Sequence, residues 1–295
     1  MVDDIFKYLL HGKCGAMTDE QIKYFLINGK FGIAEIESET LPMTFKAKRT
    51  ENLKNYRIYG NTVNGESVGD RTENLFDLNT WANTITSIRG NGTMSISDNT
   101  VSITSVDHQD AYTIPYTGTA VNVYKIVVKP NTTYKIQYNK SSTALCYIFE
   151  NGTADYIYTT SGVINTHENT TFLTIRMGVK NTEPLGTTAT ISDLMISEGS
   201  TSLSYEPYGY KVPVTVNEQT TNIYLESPLA KSGNNADYID YKTQKRYNSD
   251  GTEITVTLPE IAVTTGTNTL TVGTEIQPSK VYLRGYISRG DNNAE

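Results

Sequence analysis

The chain has 295 residues, a formal net charge of −7 and a pI near 5.1, which is long enough for about two domains. This balance carries no basic runs and offers no field to hold phosphates, so it argues against nucleic acid and anionic membrane as partners. Only 19% of residues are charged, 21 are Tyr, and Thr, Asn, Ser and Gly dominate the remainder, a composition of many short strands joined by polar turns.

In chain order, DDIFKYLLHGK places Ile5, Phe6, Leu9 and Leu10 at helical spacing. A second helix is marked by Thr18 and Gln21 as a capping box, by Ile22, Phe25 and Leu26, and by the stop Asn28-Gly29. Residues 1–30 therefore read as a short helical hairpin, either a docking or oligomerisation element or a leader packed on its own chain. The acidic opening lacks the positive residues of a signal peptide, and no apolar run approaches the roughly 18 residues of a membrane span. Neither general secretion nor membrane insertion is expected.

From Leu41 the pattern becomes β, with Met43, Phe45 and Ala47 alternating and then Tyr56 and Ile58. TENLFD (72–77) and TTNIYL (220–225) share a phrase on either side of a strand-rich stretch. The expectation is a β-sandwich over residues 74–205, inserted in a β scaffold whose halves are 31–73 and 206–290, with 291–295 as a tail. Within the insert, strands are expected at Thr93–Ser97, Thr100–Thr104, Val121–Val128, Thr133–Tyr138, Ala144–Phe149, Thr171–Gly178 and Thr188–Ser197. Their spacing suits about eight strands in jelly-roll order. After Pro213 the scaffold resumes, with the turn pair Asp250-Gly251 before ITVTLPEI. The fold class is thus mainly β: a jelly-roll sandwich in a second β scaffold.

Four segments carry a resemblance. ISDLMISEGS followed by YEPYGYKVPV, NYRIYGNTVNGESVGDRTENLFD, TTNIYLESPLAKSGNNADYIDY and LPEIAVTTGTNTLTVGTEIQPSKVYLRGY together resemble the tail-associated minor structural proteins of phages and prophages of Gram-positive bacteria, over most of residues 52–287. That resemblance implies a virion tail location, other tail or baseplate proteins as partners, and a homotrimer. Inside the insert, VYKIVVKPNTTYKIQYN resembles the sheet-to-sheet turn of carbohydrate-binding-module jelly rolls of the galactose-binding-like superfamily. It implies a host cell-surface glycan as ligand and, as the only cofactor, a structural calcium ion held by strand-end carboxylates, for which Asp77 and Asp193 are the candidates. A plain strand-end role is the competing reading of each.

Sugar binding uses aromatic faces beside amides and carboxylates. Tyr112 and Tyr116 fall in one loop with Asp107, His108 and Asp110, and these five form the preferred ligand-facing cluster. Tyr147, Tyr156 and Tyr158 are further rings of the insert, and Trp81 reads as a stacking platform or a core plug. Catalysis is not expected. The three histidines, His11, His108 and His167, stand in no hydrolase motif, and a glycosidase pair of Asp107 or Asp110 with Glu150 or Asp155 is no better than solvated loop acids. Cys14 and Cys146 lack metal-site neighbours and read as buried thiols, with a disulfide between them as the alternative. Arg289-Gly290-Asp291 and the sequons at Asn91, Asn131, Asn139, Asn151 and Asn169 are read as chance.

Overall fold

The computed structural model describes residues 34–38, 41–47, 49–109, 111–114, 124–152, 157–158, 161–285 and 287–289. The expected helical leader, Cys14, Asp110, Tyr116, Asp155 and Tyr156 lie outside the described residues. The chain divides into two compact units, Met1–Asp70 with Tyr210–Glu295, and Arg71–Gly209. Both are built of antiparallel sheet, so the protein is mainly β.

In the first unit, the scaffold, one sheet runs in the order Ala34–Ser38, Lys280–Gly285, Tyr56–Tyr59, Tyr238–Asp240, Lys245–Tyr247 and Glu253–Thr255. The other follows the path Gln219–Leu225, Tyr210–Val216, Gly266–Val272, Met43–Ala47 and Ile287–Arg289. Strict alternation does the sorting: Met43, Phe45 and Ala47 are buried while Thr44 and Lys46 face out. On Tyr56–Tyr59 the same period buries Tyr56 and Ile58 and turns Arg57 and Tyr59 to the other face. The core joins Phe45, Ile58, Val214, Ile223, Ile239, Leu270 and Leu283, each worth roughly 1.5–3 kcal/mol when withdrawn from water.

The second unit, the insert, is a β-sandwich. Its five-stranded sheet runs Gly162–Asn165, Thr133–Lys140, Thr188–Glu198, Thr100–Thr104 and Thr93–Ser97. Its four-stranded sheet runs Ile126–Val127, Phe172–Val179, Ala144–Glu150 and Ile157–Tyr158. Ala144, Cys146 and Ile148 alternate into the core, where they join Tyr134, Ile136, Ile175, Ile191 and Ile196. Burial pushes the Cys146 thiol up to about 12.

Residues 72–77 share a phrase with 220–225 but not its conformation: 220–225 lie in the strand Gln219–Leu225, whereas 72–77 are irregular, pinned by the buried Asn74. Its side chain accepts from the N–H of Phe76 (2.9 Å) and Ile196 (3.1 Å) and donates to the carbonyls of Leu194 (3.2 Å) and Glu206 (3.0 Å). Backbone groups that a strand would pair are thus met by one amide. Next comes a helix where none was expected, Leu78–Thr84, capped by Asp77, whose carboxylate accepts from Thr80 N–H at 3.0 Å.

The pairing of Thr133–Lys140 with Thr188–Glu198 slips by one residue between Gln137 and Asn139. The extra residue falls at Asp193, whose φ is +53°, a β-bulge. It lets Ile191 and Leu194, three apart, both reach the core.

Candidate functional site

The loop chosen from sequence is only partly in view. Tyr112 closes a bridge to Gly178, and a Cβ at Gly178 would lie 2.4 Å from the Ala111 carbonyl, so that approach requires glycine. The phenol of Tyr112 accepts from Arg89 Nη1 at 3.1 Å, and the guanidiniums of Arg89 and Arg176 lie 5.3 and 4.6 Å from its ring centroid. The ring is therefore engaged by cations of its own chain. Asp107 is exposed and accepts from Asn91 Nδ2 at 2.6 Å. His108 is exposed and sits on Gly90, whose φ is +67° and whose added Cβ would come within 2.2 Å of the His108 Cβ.

Trp81 is a core residue: it is 1% exposed, packs 6.0 Å from the Phe76 ring centroid, and donates from Nε1 to the Ile175 carbonyl at 3.4 Å. No ring face is left for a sugar, which corrects the platform reading. Asp77 serves the helix cap with both oxygens, the second accepting from the Thr80 hydroxyl at 2.6 Å. Asp193 stands at the bulge and accepts from Asn139 Nδ2 at 3.1 Å. Among the described residues no group of three or more His, Cys, Asp or Glu gathers to hold a metal ion.

Glu150, named as one half of an acid pair, is buried and fully wrapped. It accepts from Tyr158 Oη at 2.5 Å, from His167 N–H at 3.2 Å and from the Thr170 hydroxyl, and lies 3.0 Å from His167 Nδ1. Burial alone raises such a carboxyl, but the hydrogen bonds from Thr170, Tyr158 and His167 outweigh it and hold Glu150 below its ordinary value. That direction is opposite to the one a proton donor needs.

The recess that stands out lies in the scaffold. Register places Lys280 beside Tyr59, Tyr59 beside Tyr238, Tyr238 beside Tyr247 and Tyr247 beside Glu253, a single row across five strands. Tyr59 and Tyr238 stack with centroids 5.0 Å apart at 29°, and Tyr238 and Tyr247 at 4.7 Å and 12°. This is the cross-strand spacing itself. The inner ring faces cover one another, and the Lys280 ammonium lies 4.5 Å from the Tyr59 centroid. Arg57, one residue pair along the same face, is 5.7 Å from the Tyr238 and Tyr282 centroids and bonds Asp240 at 2.7 Å.

Beside this row opens a cleft of about 530 Å³, walled by the hairpin Lys231–Ala236 and the turn Asn248–Gly251, with Ser279 and Lys280 at one side. A buried clip sets both walls. Asp237 accepts from Ala230 N–H at 3.0 Å on the hairpin side and from Ser249 N–H at 2.8 Å on the turn side. Arg246 pairs with Asp237 at 2.9 Å, donates to Asn248 Oδ1 at 2.7 Å and to the Pro228 carbonyl at 3.0 Å, and also reaches the Ser227 carbonyl. Chemically, the cleft offers tyrosine rings and hydroxyls, asparagine amides, serine hydroxyls and two ammonium groups, the donors and acceptors that a hydroxyl-rich ligand needs.

Sequence reading passed over this site. None of Tyr59, Tyr238 and Tyr247 stands among the residues singled out from the sequence. The available signal was the phase: Tyr59, Tyr238 and Tyr247 each sit out of step with a neighbour that is buried, Ile58, Ile239 and Arg246. No protein-family model matches the sequence, and searches of curated proteins and of solved structures give no match.

Proposed function

We propose that this chain is a tail-associated structural protein of a phage or prophage of Gram-positive bacteria that attaches the particle to a host-surface glycan, and that the glycan seats in the tyrosine-walled cleft of the scaffold. The observation that carries the binding reading is the cleft itself: a row of three tyrosines beside Asn234, Asn235, Asn248, Ser249 and Ser279. With the inner faces stacked on one another, ring edges and phenol hydroxyls supply contact with little entropy to lose, and amides and serine hydroxyls supply orientation. Among the described residues the lining holds amides, hydroxyls and ammonium groups and no carboxylate, a set that suits binding.

The tail assignment rests on the four resembling segments, and with it come a virion location, other tail proteins as partners and a threefold assembly that would multiply a weak site. Strand order supports a jelly-roll reading of the insert. Counting from Thr100–Thr104 and setting aside the two-residue strand Thr113–Ile114, which pairs with Ser87–Ile88 outside both sheets, the first strand pairs with the eighth, the eighth with the third and the third with the sixth, while the second pairs with the seventh, the seventh with the fourth and the fourth with the fifth. That is the order of two interleaved Greek keys. For the insert, a purely structural role is favoured by one observation: Arg89 and Arg176 occupy the Tyr112 ring.

The test is an array of bacterial wall glycans probed with the intact protein, with Tyr238→Ala and with Tyr112→Ala. Specific binding that is lost with Tyr238 and kept without Tyr112 is expected. Loss confined to the Tyr112 variant would return the site to the insert, and an unresponsive array with well-folded protein would leave the structural role alone.

A further inference from the structure

We propose that the insert carries a docking edge for its own kind: the strand Thr93–Ser97 pairs antiparallel with the same strand of a second copy of this chain, about a twofold axis through Ser95. The proposal rests on that edge and stands apart from the glycan reading and from the threefold assembly. Thr93–Ser97 is the outermost strand of the five-stranded sheet and pairs only with Thr100–Thr104. Backbone hydrogen bonds show which of its groups are left over. The Asn99 carbonyl accepts from Asp193 N–H at 3.1 Å, and Ser105 N–H donates to the Thr187 carbonyl at 3.0 Å, both on the side of the strand Thr188–Glu198. Val101 and Ile103, in step with them, bond toward that same strand, so Thr100, Ser102 and Thr104 bond toward Thr93, Ser95 and Ser97. The N–H and C=O of Met94 and Ile96 therefore point out of the sheet edge, and among the described residues nothing pairs with them.

The strand lacks the devices that keep an edge from pairing: it has no charge, no proline and no bulge. Met94 and Ile96 are half-buried and packed against the core, while Thr93, Ser95 and Ser97 are exposed on the other face. Antiparallel pairing about Ser95 sets Met94 against Ile96 of the partner subunit. Those two residues then exchange both N–H···O=C bonds, twice over by symmetry, and carry the apolar inner face across the seam. Thr93 meets Ser97 of the partner subunit as a hydroxyl pair, and Ser95 meets itself with Cα atoms about 4.5 Å apart. The flanking Asp98 falls opposite Gly92, so no like charges meet. The same operation on the longer edge Gln219–Leu225 would set Glu218 against Glu226 at both ends. Among the described residues, the other outer strands of the large sheets are two to four residues long or, as in Ala34–Ser38, carry charge. A seam this short makes a weak, concentration-dependent contact, which gains strength wherever copies are held close together.

The experiment is sedimentation equilibrium of the intact protein over a wide concentration range at low salt. The samples are the native chain, Ser95→Lys, Ser95→Glu and a one-to-one mixture of the two variants, with melting curves to check each fold. Native protein should self-associate beyond the mass of either variant alone. Each variant should weaken that step at least about tenfold, because like charges meet across the axis, and the mixture, in which opposite charges meet, should recover it. Ser95→Cys, a near-isosteric change, should link to itself under mild oxidation, seen by mass spectrometry as two copies of the peptide that holds position 95 joined by a disulfide. Native protein no heavier than the variants at the highest concentration overturns the proposal, and so does association that the single charges leave untouched. A mixture that associates no better than its components, or self-associating Ser95→Cys protein that yields no such link, overturns the pairing about Ser95.

Discussion

Asp237→Ala strikes the clip that holds both walls of the cleft. The change removes an acceptor shared by Arg246, Ala230 N–H and Ser249 N–H, and it strands a guanidinium whose side chain is only 7% exposed. Removing one partner of a buried pair costs about 3–5 kcal/mol, and one decade of equilibrium is about 1.36 kcal/mol. Local opening of the scaffold near the clip should therefore rise by at least about a hundredfold. Peptide-resolved amide hydrogen exchange reads this directly, as lost protection over residues 227–237 and 246–252. The double variant Asp237→Leu/Arg246→Met, which replaces the ion pair by apolar groups, should recover most of the protection. A rise of less than about tenfold in the single variant would refute the clip.

Other outcomes follow from the same structure. Glu150 is held low in the folded protein, so its contribution is complete above the ordinary carboxyl value of 4.5 and is lost as pH falls through the lowered folded value. The melting temperature should drop on acidification from about pH 6 to about pH 3, and Glu150→Gln should shrink that drop. Trp81→Ala empties a fully buried site and should cost about 3–5 kcal/mol in denaturant unfolding; a loss under about 1 kcal/mol would return Trp81 to the surface. Native Cys146, buried and pushed up to about 12, should resist alkylation at neutral pH until the protein unfolds, as peptide mass spectrometry would record.

Residues whose period is local were readable before the structure. Thr93–Ser97 and Thr100–Thr104 stand where expected because each is a short run closed by turn residues, and the strand Ala144–Glu150 declares itself through alternating Ala144, Cys146 and Ile148. What failed to read was non-local. Nothing within TENLFD announces that the Asn74 amide will reach Leu194, Ile196 and Glu206 and replace a strand. LNTWANT is short enough that its helix depends on the Asp77 cap and on Trp81 finding the core. Ile157–Tyr158 and Gly162–Asn165 are too brief to show a period: the first returns as a hairpin onto Ile148 and Phe149, and the second joins its sheet only through Thr133–Ile136, well back along the chain.

The cleft shows the same divide. Each of its tyrosines is an ordinary outward residue of its own strand, and the row exists only once residues 59, 238, 247 and 280 are in register. The loop with Tyr112 drew attention because its rings and charges are adjacent in sequence. Folding instead spends Tyr112 on Arg89 and Arg176 and Asp107 on Asn91. Adjacency in sequence was a poorer guide to a site than shared phase on paired strands.

The central claim is that ligand seats against the tyrosine row of the scaffold. Its most direct test is an amide-exchange footprint of the intact protein with and without the best-binding wall glycan from the array. Protection gained over residues 231–236 and 247–251, and absent over 105–114, is the predicted result. Protection over 105–114 with the scaffold segments unchanged would contradict it.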